Sequence, residues 1–294
     1  MDIDMTERTI TANGVELATT TAGDPTDPAV LLMHGAGQSS AAWEDEFVSR
    51  LAAGGRFVVR FDARDAGRST TYPVGAPEYA LPDLGADAVG VLDELGIERA
   101  GVVGVSQGSA VAQLLALDHP DRVASLTTIA ATPGGPGHDN PDLPAPTEAV
   151  LASFQDETPP PDWDDRAAVV AYLVDAERPF AATSRPFDEA MHRAAAERAA
   201  DRAGATIAAQ VTNPFLISAG PAWRARLGEI TAPTLVLHGT EDPFFTYDHG
   251  VALAKEIPGA RLVALEATGH EMPPRHTWDV VVPALIEQTA QARP

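Results

Sequence analysis

Cysteine is absent from the 294 residues, and lysine is represented only by Lys255. The first absence removes disulfides, thiolate nucleophiles, Cys-ligated zinc and iron–sulfur clusters together. The second leaves Schiff-base chemistry a single residue, in an expected exposed helical stretch at 251–257, and makes the basic side almost wholly arginine. Basic residues of any kind are few: 20 Lys and Arg stand against 42 Asp and Glu, a formal charge of −22. Such a surface repels phosphates, which excludes nucleic acid as a partner and disfavours polyanionic substrates. No apolar run reaches the ~18–20 residues a membrane helix needs, so no membrane partner is expected. The opening MDIDMTERTI lacks the basic-then-apolar layout of a signal peptide. The expectation is a soluble, cytoplasmic protein, and nothing here fixes an oligomeric state. Also missing are HExxH, a P-loop and a G-x-G-x-x-G after a strand, so no metal and no cofactor is expected.

What is present is enough apolar material, 45% of residues, for a full core. Short apolar runs alternate with helical patterns, the signature of parallel βαβ construction. The pattern predicts strands at 15–21, 30–33, 57–61, 101–105 and 123–129, with helices at 43–53, 84–95 and up to Leu117. After Ala131 the rhythm changes. The stretch 133–146, PGGPGHDNPDLPAP, is too rich in Pro and Gly for a regular element, and a second breaker runs from Thr158 to Asp162. Helical patterns follow at 164–176 and 187–203, the latter read as a solvated face with charges at i,i+4 spacing. Sheet periodicity returns at 233–237 and 261–265, before a closing helix at 280–291. The reading is a core in two parts, 1–133 and 230–294, interrupted by a helical cap at 134–229.

The most informative pentapeptide is Gly104-Val105-Ser106-Gln107-Gly108. It matches G-x-S-x-G and falls between an expected strand and an expected helix, where a nucleophile elbow belongs. A sharp strand-to-helix turn presents the serine hydroxyl at a helix N-terminus, and a Cβ two residues away on either side would clash. Serine is a weak nucleophile at neutral pH and needs a base. His270, in Ala267-Thr-Gly-His270 after the strand at 261–265, occupies the position expected for it, with His276 as competitor. Asp242, in His238-Gly-Thr-Glu-Asp242-Pro243, is the expected orienting acid, with Glu241 as the alternative. Two backbone N–H groups are expected to form an oxyanion hole: that of Gln107, and that of Ala36 in His34-Gly35-Ala36-Gly37, Gly37 being the near alternative. The charged stretch 62–69 reads as a turn bracing that loop.

With these residues in place, the chain resembles α/β-hydrolase fold serine hydrolases with a helical cap, and in particular the aclacinomycin methylesterase group. The likeness rests on Trp43-Glu-Asp-Glu-Phe-Val-Ser-Arg-Leu, on Arg60-Phe-Asp-Ala-Arg-Asp-Ala-Gly-Arg-Ser-Thr-Thr71, on residues 87–129 and on Ala232-Pro-Thr-Leu-Val236. It implies a mostly parallel sheet flanked by helices, and places nucleophile, acid and base on Ser106, Asp242 and His270 and the oxyanion donors on Ala36 and Gln107. Where Gln107 stands the group carries methionine. The cap shows no such likeness, so the resemblance speaks to chemistry more than to substrate.

The expected function is hydrolysis of a carboxylic ester of a small to medium hydrophobic molecule through an acyl-enzyme on Ser106. The same triad could instead serve cofactor-free perhydrolase or haloperoxidase chemistry, or C–C bond hydrolysis. A non-catalytic ligand receptor is the remaining reading, opposed by the intact Ser/Asp/His set.

Overall fold

One sheet of eight strands organises the chain in the computed structural model, which describes residues 4–135, 137–138, 140–155 and 159–290. The strands are β1 (Met5–Ala12), β2 (Val15–Ala22), β3 (Ala29–Met33), β4 (Phe57–Phe61), β5 (Ala100–Val105), β6 (Val123–Ile129), β7 (Thr234–Gly239) and β8 (Arg261–Leu265). Their spatial order is 1-2-4-3-5-6-7-8. β1, β2 and β4 pair antiparallel, and every other pairing is parallel. β3, β5 and β6 are buried along their whole length, which is why they read as continuous apolar runs rather than alternating ones.

The helices are α1 (Asp45–Ala53), α2 (Leu81–Glu94), α3 (Gln107–Asp118), α4 (Glu148–Ser153), α5 (Arg166–Glu177), α6 (Glu189–Ala203), α7 (Ile207–Thr212), α8 (Tyr247–Glu256) and α9 (Trp278–Thr289). Phe47 and Leu51 of α1 pack with Trp278 and Leu285 of α9 on one face of the sheet. Val91 and Leu92 of α2, Leu115 of α3 and Leu253 of α8 cover the other. The result is the layered α/β architecture expected from the alternating pattern.

Three elements differ from the sequence reading. β1 was not expected, because five of its first six residues, Met5 to Arg8 and Thr9, are polar or solvent-facing and only Ile10 and Ala12 are buried. An edge strand with so little apolar alternation carries no period-2 signal. α4 and α7, six residues each, are too short to show helical periodicity. The expected breaks at Pro136, Asp139 and Thr158, and the expected helix end at Gln291, lie outside the described residues.

Between β6 and β7, which are hydrogen-bonded neighbours, the chain leaves the sheet to form α4–α7. Val170 and Val174 of α5 pack against Ala196 and Ala200 of α6 in a small apolar cluster of their own. The chain then returns through Trp223 and Leu227, both buried against α3 in the main core. This helical layer rests on the loops that follow β3, β4, β7 and β8, and polar side chains fasten it there. Gln210 takes the Gly67 N–H at 2.9 Å and donates to the Gly37 carbonyl at 3.2 Å. Asn213 accepts from the Gly75 N–H at 2.7 Å and donates to the Pro73 carbonyl at 3.1 Å. Both amides are fully buried. Arg202 of α6, expected on a solvated face, instead shares its Nε–H between the two oxygens of buried Asp62 and reaches Glu7 through Nη1. The pairing of Arg193 with Glu189 does lie on the exposed side, as expected.

Candidate active site

The turn from β5 into α3 carries Ser106 at φ 51°, ψ −114°, a left-handed region that an L-residue enters only under constraint. The constraint is visible in its neighbours. A Cβ on Gly104 would lie 2.2 Å from the Gly108 carbonyl oxygen, and one on Gly108 would lie 2.6 Å from the carbonyls of Met33 and His34. The turn is therefore as tight as backbone contact allows. Ser106 N donates to the Ile129 carbonyl at 2.9 Å, and buried Ser109 Oγ accepts from the Ile129 N–H at 3.0 Å, tying the turn to β6.

Three side chains from three loops converge here. Ser106 Oγ lies 3.0 Å from His270 Nε2, and His270 Nδ1 lies 2.9 Å from Asp242 Oδ2. An ionised carboxylate only accepts, so Nδ1 carries the imidazole proton and Nε2 offers its lone pair to the serine hydroxyl. The second oxygen of Asp242 accepts from the N–H groups of Phe244 and Phe245 at 2.9 and 2.8 Å. Burial alone would raise this carboxyl's pKa. The facing His270 and His238 and the Phe245 N–H outweigh that and hold it below the ordinary aspartate value.

The alternatives considered from sequence are engaged elsewhere. Glu241 accepts from the N–H groups of Thr183 and Ser184, both at 2.9 Å, and from their hydroxyls, which holds it below the usual glutamate range. His276 Nε2 donates to the Glu266 carbonyl at 3.1 Å. His238 is fully buried and donates from Nε2 to the Phe245 carbonyl at 2.6 Å, bracing the loop that carries Asp242.

The loop after β3 approaches from the other side. Ala63 N–H donates to His34 Nε2 at 3.1 Å, so the proton of this ring sits on Nδ1, which donates to the Gly35 carbonyl at 2.8 Å. Burial pushes the His34 pKa down and keeps the ring neutral, as that pattern requires. Asp62 braces the far end, accepting from the N–H groups of Ser40 and Arg68, both at 2.9 Å. The stretch 62–69 is thus the structural turn that the sequence suggested. Among the described residues, the N–H groups of Ala36 and Gln107 have no hydrogen-bond acceptor. The Gln107 side chain is turned away to donate to the Pro214 carbonyl at 2.9 Å.

Sequence reasoning missed the aromatic wall. The rings of Phe244, Phe245 and Phe180 lie 5.0, 5.3 and 6.0 Å from the His270 ring, and Phe154 packs on Phe180 and Phe244. Two of these were readable, since Phe244 and Phe245 directly follow Asp242-Pro243. Phe180 was not, because it comes from the segment after α5, where the Phe180 carbonyl accepts the His270 N–H at 2.8 Å.

Comparison with known proteins bears on the family and the fold. Residues 28–276 match the family model described as alpha/beta hydrolase fold. A rhodomycin D methylesterase of Streptomyces sp. is 35% identical over 283 residues, covering 92% of this chain and 93% of that one. A 2-hydroxy-6-oxononadienedioate/2-hydroxy-6-oxononatrienedioate hydrolase of Cupriavidus pinatubonensis is 30% identical, covering 82% of this chain and 80% of its own. Among solved structures, a meta-cleavage product hydrolase from Pseudomonas fluorescens superposes with a TM-score of 0.74 at 19% identity, covering 99% of each chain, a likeness of fold alone.

Proposed function

Because the chain belongs to the alpha/beta hydrolase fold family, we propose that it is a serine hydrolase cleaving a carboxylic ester of a small to medium hydrophobic molecule, in the manner of a methylesterase. The observation that carries this reading is the continuous hydrogen-bonded line from Ser106 Oγ through His270 to Asp242. Ser106 Oγ attacks the ester carbonyl carbon and passes its proton to His270 Nε2. Asp242 stabilises the imidazolium without taking the proton. The N–H groups of Ala36 and Gln107 receive the oxyanion, an interaction that grows as charge develops. The intermediate collapses, His270 returns the proton to the departing alcohol, and an acyl group remains on Ser106. Water, deprotonated by His270, repeats the sequence and releases the acid. No cofactor is needed at any step. The helical layer at 134–229 acts as a cap, and its Phe180 together with Phe244 and Phe245 of the loop after β7 gives the space over His270 an apolar wall suited to the substrate's body.

A fluorophosphonate probe tests the nucleophile. The wild-type chain is expected to be labelled and to hydrolyse p-nitrophenyl esters, while Ser106→Ala does neither. Wild-type protein that neither labels nor turns over any ester of a graded acyl series overturns the proposal.

Carbon–carbon bond hydrolysis is the second reading, favoured by the relatives named as hydrolases of 2-hydroxy-6-oxo dienedioates. Cleavage of a vinylogous 1,5-diketone faster than any ester would select it.

A further inference from the structure

The base sits in a turn that the helical layer holds from outside. After β8 the chain passes through Ala267 at φ 51°, a left-handed conformation that a residue with a Cβ keeps only where its surroundings fix it. The Ala267 N–H donates to Thr240 Oγ1 at 3.1 Å, and its carbonyl accepts from Arg185 Nε at 2.9 Å. Further along, Glu271 Oε1 takes the Gly269 N–H at 3.0 Å from within the turn and Arg185 Nη2 from without. One guanidinium therefore spans the turn, gripping it on both sides of His270. The packing is close: a Cβ on Gly269 would lie 2.2 Å from the Phe180 carbonyl oxygen, which also receives the His270 N–H. The nearby carboxyl of Glu177, which burial pushes up to about 7, takes no hydrogen bond from the turn among the described residues.

Thr183 and Ser184, which precede Arg185, bind Glu241, the neighbour of Asp242. A single stretch of the helical layer thus grips the loop of the acid and the loop of the base together. Among the described residues, Arg185 is the one side chain of that layer that hydrogen-bonds the turn at 266–271. An exposed ion pair such as Arg166–Asp201 joins only α5 to α6 and contributes little. Arg185 and Glu271 differ from it, their side chains being 20% and 5% exposed.

We propose that Arg185 is a positioning residue for His270, holding the imidazole in line between Ser106 and Asp242 from the far side of the turn. The role is read within the proposed ester hydrolysis, although Arg185 touches neither the imidazole nor the serine. The geometry accounts for the residue type. Arginine offers Nε–H and Nη2–H along one edge to two acceptors at once, whereas lysine is a point charge that satisfies one of them. A base displaced by about 1 Å costs about 100-fold in rate, so a turn that slackens is felt in the chemistry before it is felt in the fold.

Steady-state kinetics, guanidinium rescue and proton NMR test this. Arg185→Ala is expected to lower kcat on a p-nitrophenyl ester by about 100-fold with KM within about twofold, because a misaligned imidazole slows proton transfer and leaves substrate binding alone. Arg185→Lys keeps a cation beside Glu271, which guards the fold, and is expected to lose about tenfold in kcat. Guanidinium chloride below denaturing concentration is expected to restore most of the loss in Arg185→Ala, saturably, and to leave the wild type unimproved. Guanidinium weakens folded structure in general, so a rate that rises with it is not a stability effect. The proton that His270 Nδ1 donates to Asp242 reports alignment without turnover. Its resonance, downfield of the amides and absent from His270→Gln, is expected to be sharp in the wild type, broadened in Arg185→Ala and recovered with guanidinium. Arg185→Lys or folded Arg185→Ala with the wild-type kcat and Nδ1 resonance overturns the proposal. So does a loss of kcat that guanidinium leaves unrestored in Arg185→Ala. Wild-type protein without ester turnover fails the esterase reading instead, and the resonance then decides on Arg185 alone.

Discussion

Asp242 illustrates how much one carboxylate can be asked to hold. One oxygen takes two backbone N–H groups and the other takes His270 Nδ1, all within 2.9 Å. Asp242→Asn keeps the shape but offers an N–H or a neutral oxygen where the imidazole needs an anion. It is expected to lower kcat by about 10⁴, with KM changed far less, in steady-state kinetics on a p-nitrophenyl ester. The depressed pKa of Asp242 also has a sign for stability. Its contribution is complete above the unfolded aspartate value and is lost as pH falls through the lower folded value. Glu177 works the other way. Its folded value, about 7, lies above the unfolded 4.5, so the native state holds the proton longer and stability declines as pH rises between the two. Glu177→Gln removes that dependence. In thermal melts from pH 4 to 8, the variant is expected to gain on the wild type between about 4.5 and 7 and to level off above. A constant difference across that range would show that Glu177 does not titrate there. At this level the sequence was informative. Ser106, Asp242 and His270 each sit on the loop after a strand whose apolar run could be recognised, so their convergence followed from the order of the strands. The buried, unpaired atoms of His192 and Glu271 could not be foreseen, because the elements that bury them lie far apart in the chain.

The loops that carry those residues are fixed by elements from outside the sheet. The segment after α5 is held by Glu241, by the His270 N–H and by Arg185, which donates to the Ala267 carbonyl at 2.9 Å. The segment around α7 is held by Gln210 and Asn213. Loss of the Gln210 side chain strands the Gly67 N–H and the Gly37 carbonyl together. Gln210→Ala is expected to destabilise the fold by about 2–6 kcal/mol, at about 1–3 kcal/mol for each buried group left unpaired. Chemical denaturation measures this, and a change under 0.5 kcal/mol by order of magnitude would mean that water replaces the amide at both ends. None of these ties could be read from the sequence. Gln210 and Gly67 are 143 residues apart, and a polar residue in a helical pattern carries no mark of its distant partner. The Pro/Gly-rich stretch at 133–146, expected to form no regular element, is tied down in its described part. Gly134 N–H donates to Gln113 Oε1 at 3.1 Å, and Arg224 binds Asn140 and Asp142. The strands of the parallel sheet were legible because complete burial enforces an unbroken apolar run. β1 was not, because an edge strand facing solvent answers to no such demand.

Across the whole molecule the excess of acid is the dominant electrostatic fact. Arginines are distributed so that many find carboxylates, Arg64 with Asp87 and Arg202 with Asp62 being buried examples, yet the charge of −22 remains. Self-repulsion of that kind is screened by salt, whereas the buried pairs are not. Raising sodium chloride from about 10 to 300 mM is expected to raise Tm by about 2–4 °C, corresponding to about 1 kcal/mol. A fall in Tm would mean that exposed ion pairs outweigh the repulsion. One feature of the connectivity bears on how such a molecule changes over time. β6 and β7 are parallel neighbours, and joining them requires a crossover of only about a dozen residues, where this chain spends roughly a hundred. The return leg through Trp223 and Leu227 supplies the crossover by itself. The residues before it contribute no strand to the sheet, so their number does not enter any strand register. A graft must bring only its own anchors, groups for Glu241 and the His270 N–H to grip and an amide where Gln210 stands. If the proposed esterase reading holds, such a segment is where substrate range would change while Ser106, Asp242 and His270 keep their places.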